Sequence, residues 1–166
     1  MERRDFIRLS LGGIILAALG PYLKAGKAFA AETINKLTLT NAEWKQKLTP
    51  TEYDILREEG IERPFTSKLL DEHREGTFVC VACDLPLFPS SFKYDSGTGW
   101  PSFFDSISGH VETKTDYKLI VPRTEYHCAR CGGHHGHVFD DGPKPTGLRY
   151  CNNGAVLEFI PKRGMI

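Results

Sequence analysis

The chain has 166 residues, enough for one domain with or without a short appendage. A hydrophobic fraction of 40% with 11% aromatics is globular and excludes a disordered chain. Lysine plus arginine and aspartate plus glutamate both number 21, so the net charge is zero and no basic surface for nucleic acid is implied.

The first thirty residues read as an address. Arg3, Arg4, Arg8, Lys24 and Lys27 outnumber Glu2 and Asp5 there, whereas the rest of the chain carries 16 basic and 19 acidic residues, a net of −3. Arg3-Arg4-Asp5-Phe6 precedes an apolar stretch from Leu9 to Leu23, interrupted by Ser10, Gly12, Gly13, Gly20 and Pro21. That stretch is short of the ~20 residues that span a bilayer. Together with Ala28-Phe29-Ala30 it predicts a signal peptide over 1–30, and the arginine pair resembles a twin-arginine signal. An uncleaved membrane anchor is the competing reading. The expected destination is the periplasm or an equivalent oxidising space. The twin-arginine route carries folded proteins, so a metal can be loaded before export.

Residues 31–40 read as a linker and 41–166 as the working domain. Asn41 can cap a short helix carrying Trp44 and Leu48. Thr49-Pro50-Thr51-Glu52 is a capping box with proline at the first helical position, and Gly60 stops the helix it opens. Beyond Thr77 the segments are short and β-rich. Strands are predicted over 77–81, 85–88, 110–117, 118–121, 123–127, 137–139, 148–152 and 155–160. With 16 glycines and 10 prolines and no βαβ period, the pattern predicts a mainly β, antiparallel body with short N-terminal helices.

The five cysteines divide four and one. Cys80-x-x-Cys83 and Cys128-x-x-Cys131 are two knuckles with 44 residues between them. Each knuckle turn presents two sulfurs to one ion, so the pair predicts a tetrahedral four-cysteine zinc site. Two disulfides, or a redox Cys-x-x-Cys, are the alternatives. A closed four-thiolate site has no open position, so its task is stability. Cys151 is left over, between two strand-like runs. In an extended segment Arg149 shares its face, and a positive charge favours thiolate. His134, His135 and His137 follow the second knuckle, and a Cys with a His is the usual pairing for nucleophilic and acid–base work. A buried, inert Cys151 and solvent-facing histidines are the bland alternative.

These residues resemble the methionine-R-sulfoxide reductase family, the B type, from about Asn41 to Phe159. The likeness rests on Arg63-Pro64-Phe65, Gly99-Trp100-Pro101-Ser102-Phe103, Arg123-Thr124-Glu125, His134-His135-Gly136-His137-Val138-Phe139, Asp141-Gly142-Pro143, Pro145-Thr146-Gly147-Leu148-Arg149-Tyr150-Cys151 and Asn153, in that order with both knuckles in place. The resemblance implies two antiparallel, barrel-like sheets. It implies Cys151 as the nucleophile that attacks the sulfoxide sulfur, His134 and His137 as active-site histidines, and Asn153 as the polar residue beside the nucleophile. It implies Trp100 and Phe139 as walls for the substrate methyl group, with Arg149 and Glu125 as charged residues of the same cleft. The product on the enzyme is a cysteine sulfenic acid.

Thr98 stands where many members of that family carry a resolving cysteine. The other four cysteines are committed to zinc, so a one-cysteine cycle is expected. An external thiol reductant then regenerates Cys151, delivered by a thioredoxin-like or membrane-relayed donor. Oxidised proteins or peptides are the expected substrates, and a monomer is the expected state. Gly154 stands where the family usually has serine, and Asn152 and His135 where it usually has apolar residues. Gly154 loosens the backbone beside the nucleophile, and His135 adds an acid or base. The alternative from another class is a non-catalytic, zinc-stabilised binding or oxidation-sensing module.

Overall fold

The computed structural model describes residues 33–118 and 120–163. The predicted signal peptide over 1–30 lies outside the described residues. Among them, no helix is long and apolar enough to cross a membrane.

Two short helices open the body, α1 (Asn41–Lys47) and α2 (Pro50–Glu58). Both begin with a capping box, Thr40 with Glu43 and Thr49 with Glu52. The cap of α1 is therefore Thr40 rather than Asn41, because only its hydroxyl reaches the N3 amide. The end of α2 also differs from expectation. Glu59, not Gly60, takes the left-handed conformation at φ 58°. Its carboxylate is held by Lys114 and Lys118, at 2.6 and 2.5 Å. Trp44, Ile55 and Leu56 bury the inner faces of the two helices.

Nine strands follow: β1 (Gly76–Cys80), β2 (Pro86–Pro89), β3 (Lys93–Tyr94), β4 (Ser102–Phe103), β5 (Val111–Asp116), β6 (Arg123–Cys128), β7 (His134–Phe139), β8 (Arg149–Asn152) and β9 (Leu157–Pro161). They form a three-stranded sheet, β2-β1-β9, and a six-stranded sheet, β3-β4-β8-β7-β6-β5, with every pairing antiparallel. The predicted strand over 118–121 is absent from its described residues, which form the turn of the β5–β6 hairpin. β-Branched content there reflects exposed apolar residues rather than pairing.

An aromatic core joins the sheets. Phe88 stacks on Phe103 at 4.4 Å, Phe78 meets Phe103 edge-on at 5.0 Å, and Tyr126 packs against Tyr150 at 5.3 Å. Such pairs each add about 0.5–1.5 kcal/mol beyond area burial. The core therefore fixes the relation of β4, β6 and β8, the strands around the site.

Candidate active site

The two knuckles are built alike. Cys80 and Cys128 end β1 and β6, and each amide donates across its loop, to Leu85 O at 3.0 Å and Gly133 O at 2.9 Å. Each first-cysteine carbonyl accepts from the residue four on, Asp84 at 2.8 Å and Gly132 at 2.9 Å. Those two residues take the left-handed conformation, at φ 58° and 67°. The four sulfurs lie within 4.8 Å of one another. Cys80 and Cys131 Sγ are 3.7 Å apart, Cys83 and Cys128 Sγ 3.5 Å. A tetrahedral zinc with ~2.3 Å bonds wants sulfurs about 3.8 Å apart. A disulfide wants ~2.05 Å. The donor set and spacing fit zinc, and the cluster ties the β1–β2 turn to the β6–β7 turn.

Three residues beyond Cys131, β7 begins. His134 and His137 are three apart, which in a regular strand sends them to opposite faces. The strand is not regular. Tyr126 pairs with Gly136 and His127 with His134, so β7 carries one extra residue opposite β6. That bulge reverses the alternation. It brings the His134 and His137 rings to 5.5 Å. His135 turns inward instead. It is fully buried and lies parallel to Tyr126 at 6.4 Å, and burial drives its pKa down to about 3. His135 is thus a neutral core residue, neither solvent-facing nor an added acid.

Cys151 lies on β8 directly opposite His137 on β7 and Ser102 on β4. A side chain at residue 136 would strike the Cys151 carbonyl, so Gly136 is what lets the two strands meet there. The sulfur faces a small cleft of about 120 Å³ whose walls include Trp100, His137, Phe139, Asn153 and Ile61. That is well below the ~300–1,000 Å³ of pockets for whole small molecules. It suits the tip of one side chain.

The residues named from the sequence separate into two groups. Cys151, His137, Asn153, Trp100 and Phe139 line the cleft, whereas His134, Glu125 and Arg149 stand behind it. Arg149 stacks on Phe139 at 4.3 Å and forks onto Asp141, at 2.7 and 2.8 Å. His134 Nδ1 sits 2.9 Å from the buried carboxylate of Glu125, off the hydrogen-bond direction. Lys114 meets the same carboxylate at 3.0 Å. Burial lowers the pKa of His134, against the pull of Glu125.

Sequence reasoning missed Asp116 and Glu62. His137 Nε2 is 2.8 Å from Asp116 Oδ2, which also accepts from Arg123 at 2.6 Å, while Oδ1 accepts from the Lys118 amide at 2.8 Å. The amide, then His137 and Arg123, hold the Asp116 carboxyl far below its ordinary range. The His137 ring is therefore fixed by a permanent carboxylate, with Nδ1 left for the cleft. Asp116 carried no sequence signal, because its side-chain partners are 7 and 21 residues away.

Glu62 organises the opposite wall. Its amide donates to Asn153 Oδ1 at 2.9 Å and its carbonyl accepts from Trp100 Nε1 at 3.1 Å. Its carboxylate accepts from the amides of Gly154 and Ala155, at 2.5 and 2.9 Å. Asn153 Nδ2 donates to His135 O at 3.0 Å. Gly154 is consequently pinned, not loose, and Ser67 leaves no room for a side chain there.

Burial pushes the Cys151 thiol above its ordinary 9.0, and Arg149 and the Thr98 hydroxyl only partly oppose it. Asp141 offsets much of the arginine's charge. We expect carbamidomethylation of Cys151 in the metal-loaded protein to accelerate with pH and to be still rising at pH 9. A plateau below pH 8 in the rate of iodoacetamide labelling, followed by mass spectrometry, would contradict this.

Fold and site together define a two-sheet, four-thiolate protein with one accessible cysteine facing a fixed imidazole. The chain belongs to the SelR domain family, whose model matches residues 48–161. Curated relatives agree. It is 53% identical over 124 residues to the "Peptide methionine sulfoxide reductase MsrB" of Thiobacillus denitrificans, covering 74% of this chain and 94% of that one. A protein of the same name from Pseudomonas putida is 51% identical over 134 residues, 79% of this chain and 99% of that one. The "Peptide methionine sulfoxide reductase B1, chloroplastic" of Arabidopsis thaliana is 51% identical, covering 77% of this chain and 64% of that one.

Proposed function

We propose that the chain reduces methionine sulfoxide in polypeptides, selecting the R epimer, by a one-cysteine cycle. The observation that carries this reading is the small aromatic-walled cleft holding both the Cys151 sulfur and the free edge of His137. A sulfoxide is a poor electrophile until its oxygen is protonated. His137 imidazolium, oriented by Asp116, gives that proton as the Cys151 thiolate attacks sulfur. The attack makes a sulfur–sulfur bond; the protonated oxygen then transfers to the Cys151 sulfur as the substrate's sulfur–oxygen bond and the new sulfur–sulfur bond break, leaving Cys151 sulfenic acid and methionine as the thioether. Trp100 and Phe139 receive the methyl group, which decides which epimer turns its oxygen to the acid.

Two thiols of an external donor return the enzyme. The first displaces hydroxide from the sulfenic sulfur, forming a mixed disulfide and water, and the second releases Cys151 and closes the donor disulfide. No thiol of this chain substitutes, because the four other cysteines form the metal cluster and Thr98 lies against the Cys151 sulfur. Zinc, held by Cys80, Cys83, Cys128 and Cys131, supplies rigidity and takes no step. Export to the periplasm, on the arginine-rich start, makes a thioredoxin-like or membrane-relayed donor the partner that fits.

The test is turnover of separate R and S epimers of a methionine-sulfoxide peptide with dithiothreitol. Reduction of R alone is expected. No reduction of either epimer by metal-replete protein would sink the reading in favour of a binding or sensing module.

A further inference from the structure

The cleft beside Cys151 takes only about 120 Å³, so a polypeptide offering one side chain to it must lay its remaining length on the rim. That rim is apolar. Among the described residues six large hydrophobic side chains are exposed; one lines this opening, and others stand on the segments that flank its walls. Ile61 lines it. Phe65 packs on Gly99, next to Trp100, its amide donating to Gly99 O at 2.7 Å. Tyr117, Ile120 and Val121 lie in the short connection between Asp116 and Arg123, and Ile120 is wholly exposed. Single exposed hydrophobes are ordinary, but a set gathered about one opening marks a contact surface.

One part of the rim is hollow. A shallow depression of about 520 Å³ shares Arg123 and Phe139 with the cleft, and Val121, Pro122, Val138 and Leu148 complete its apolar lining. Arg123 is already neutralised by Asp116 at 2.6 Å. Asp140 also lines the depression, so the free charge it offers a peptide is negative, beside the five apolar side chains of Val121, Pro122, Val138, Phe139 and Leu148. In an extended chain, side chains two residues apart lie on one face, about 7 Å from each other. A depression sharing a wall with the cleft is where the residue two positions from the oxidised methionine comes to rest.

We propose that this depression is a subsite for an apolar side chain two residues from the sulfoxide. The substrates it favours carry an apolar residue at that spacing. The inference rests on reading the Cys151 cleft as the methionine-sulfoxide site. An apolar side chain placed against such a wall gains on the order of tenfold over a small polar one. The gain falls on KM, since the subsite touches no reacting atom.

Three R-sulfoxide substrates test it: N-acetylmethionine sulfoxide, a peptide with leucine two residues either side of the sulfoxide, and the same peptide with serine there. For the wild type, kcat/KM for the leucine peptide should exceed that for the serine peptide about tenfold, through KM. In the variant Val121→Asp, which sets a charge on the wall of the depression, the ratio should fall close to one. The Val121 side chain is exposed, so the variant is expected to melt as the wild type does, and a thermal scan checks that. A wild-type ratio near one overturns the subsite, as does a wild-type ratio that survives in the variant. Failure to reduce even N-acetylmethionine sulfoxide would instead overturn the reading of the site itself.

Discussion

Cys151→Ser should lose at least about 10⁴-fold in kcat/KM for the R-sulfoxide peptide, because a hydroxyl at neutral pH neither attacks sulfur nor carries its oxygen away. The loss should appear with structure intact. Residue 151 sits in the middle of a ladder whose backbone pairs with both β4 and β7, and the substitution changes one atom of a half-buried side chain. Metal content and melting temperature should therefore match the wild type. Asp116→Asn makes the graded comparison. The amide keeps the size of the carboxylate but removes the charge facing His137 Nε2, and its NH₂ cannot accept, so the Lys118 amide, Arg123 and His137 are left to share one oxygen. General acids contribute about 10²–10⁴-fold, and a mispositioned one forfeits part of that. A fall in kcat of about 10–100-fold with KM little changed is expected. If Cys151→Ser kept more than a hundredth of wild-type turnover, the nucleophile would lie elsewhere. If Asp116→Asn raised KM alone, Asp116 would belong to substrate binding rather than to the acid.

How far the sequence foretold this depends on the range over which each signal acts. The capping boxes of α1 and α2 and the knuckles are local patterns of three or four residues, and they were legible to within a residue or so at their ends. Alternation and turn residues likewise located most strands. Lys118–Val121 failed because apolar, β-branched residues can stand exposed in a turn and their type alone does not make a strand. The cleft was legible through the resemblance, which named Cys151, His137, Trp100, Phe139 and Asn153. What stayed hidden were the supports. The bulge at His135 is set by pairing with β6, and no spacing rule along β7 alone reports it. Asp116 and Glu62 act through partners up to 93 residues away, contacts that only the folded topology creates. Arg149 was read for its charge, but its fork to Asp141 and its stacking on Phe139 make it as much a splint for the aromatic wall.

Removing the metal should cost the whole fold. Structural zinc in four-cysteine sites supplies about 10–16 kcal/mol of apparent binding free energy at neutral pH. An entire domain of this size is stable by only about 5–15 kcal/mol. The two figures are of the same size, so the metal-free chain has little left to hold it. Position sharpens the argument. The cluster is the covalent-like link between the three-stranded sheet, through β1, and the six-stranded sheet, through β6. It also fixes Cys131, from which only Gly132 and Gly133 separate His134 and the start of β7. Without the ion, four thiols at 3.5–3.7 Å lose their shared partner in a largely buried space. Cys128→Ser, or stripping with a strong chelator, should release one zinc per chain and lower Tm by more than about 15 °C or abolish the cooperative transition. Peptide turnover should vanish together with the fold, and Cys151 should become freely alkylated near neutral pH as its burial is lost. Metal analysis, thermal melting and thiol labelling on one preparation read all three. Two disulfides in place of the ion would give a metal-free protein that melts lower only after reduction. A Cys128→Ser protein with unchanged Tm and full turnover would show that the cluster holds neither the sheets nor the site together.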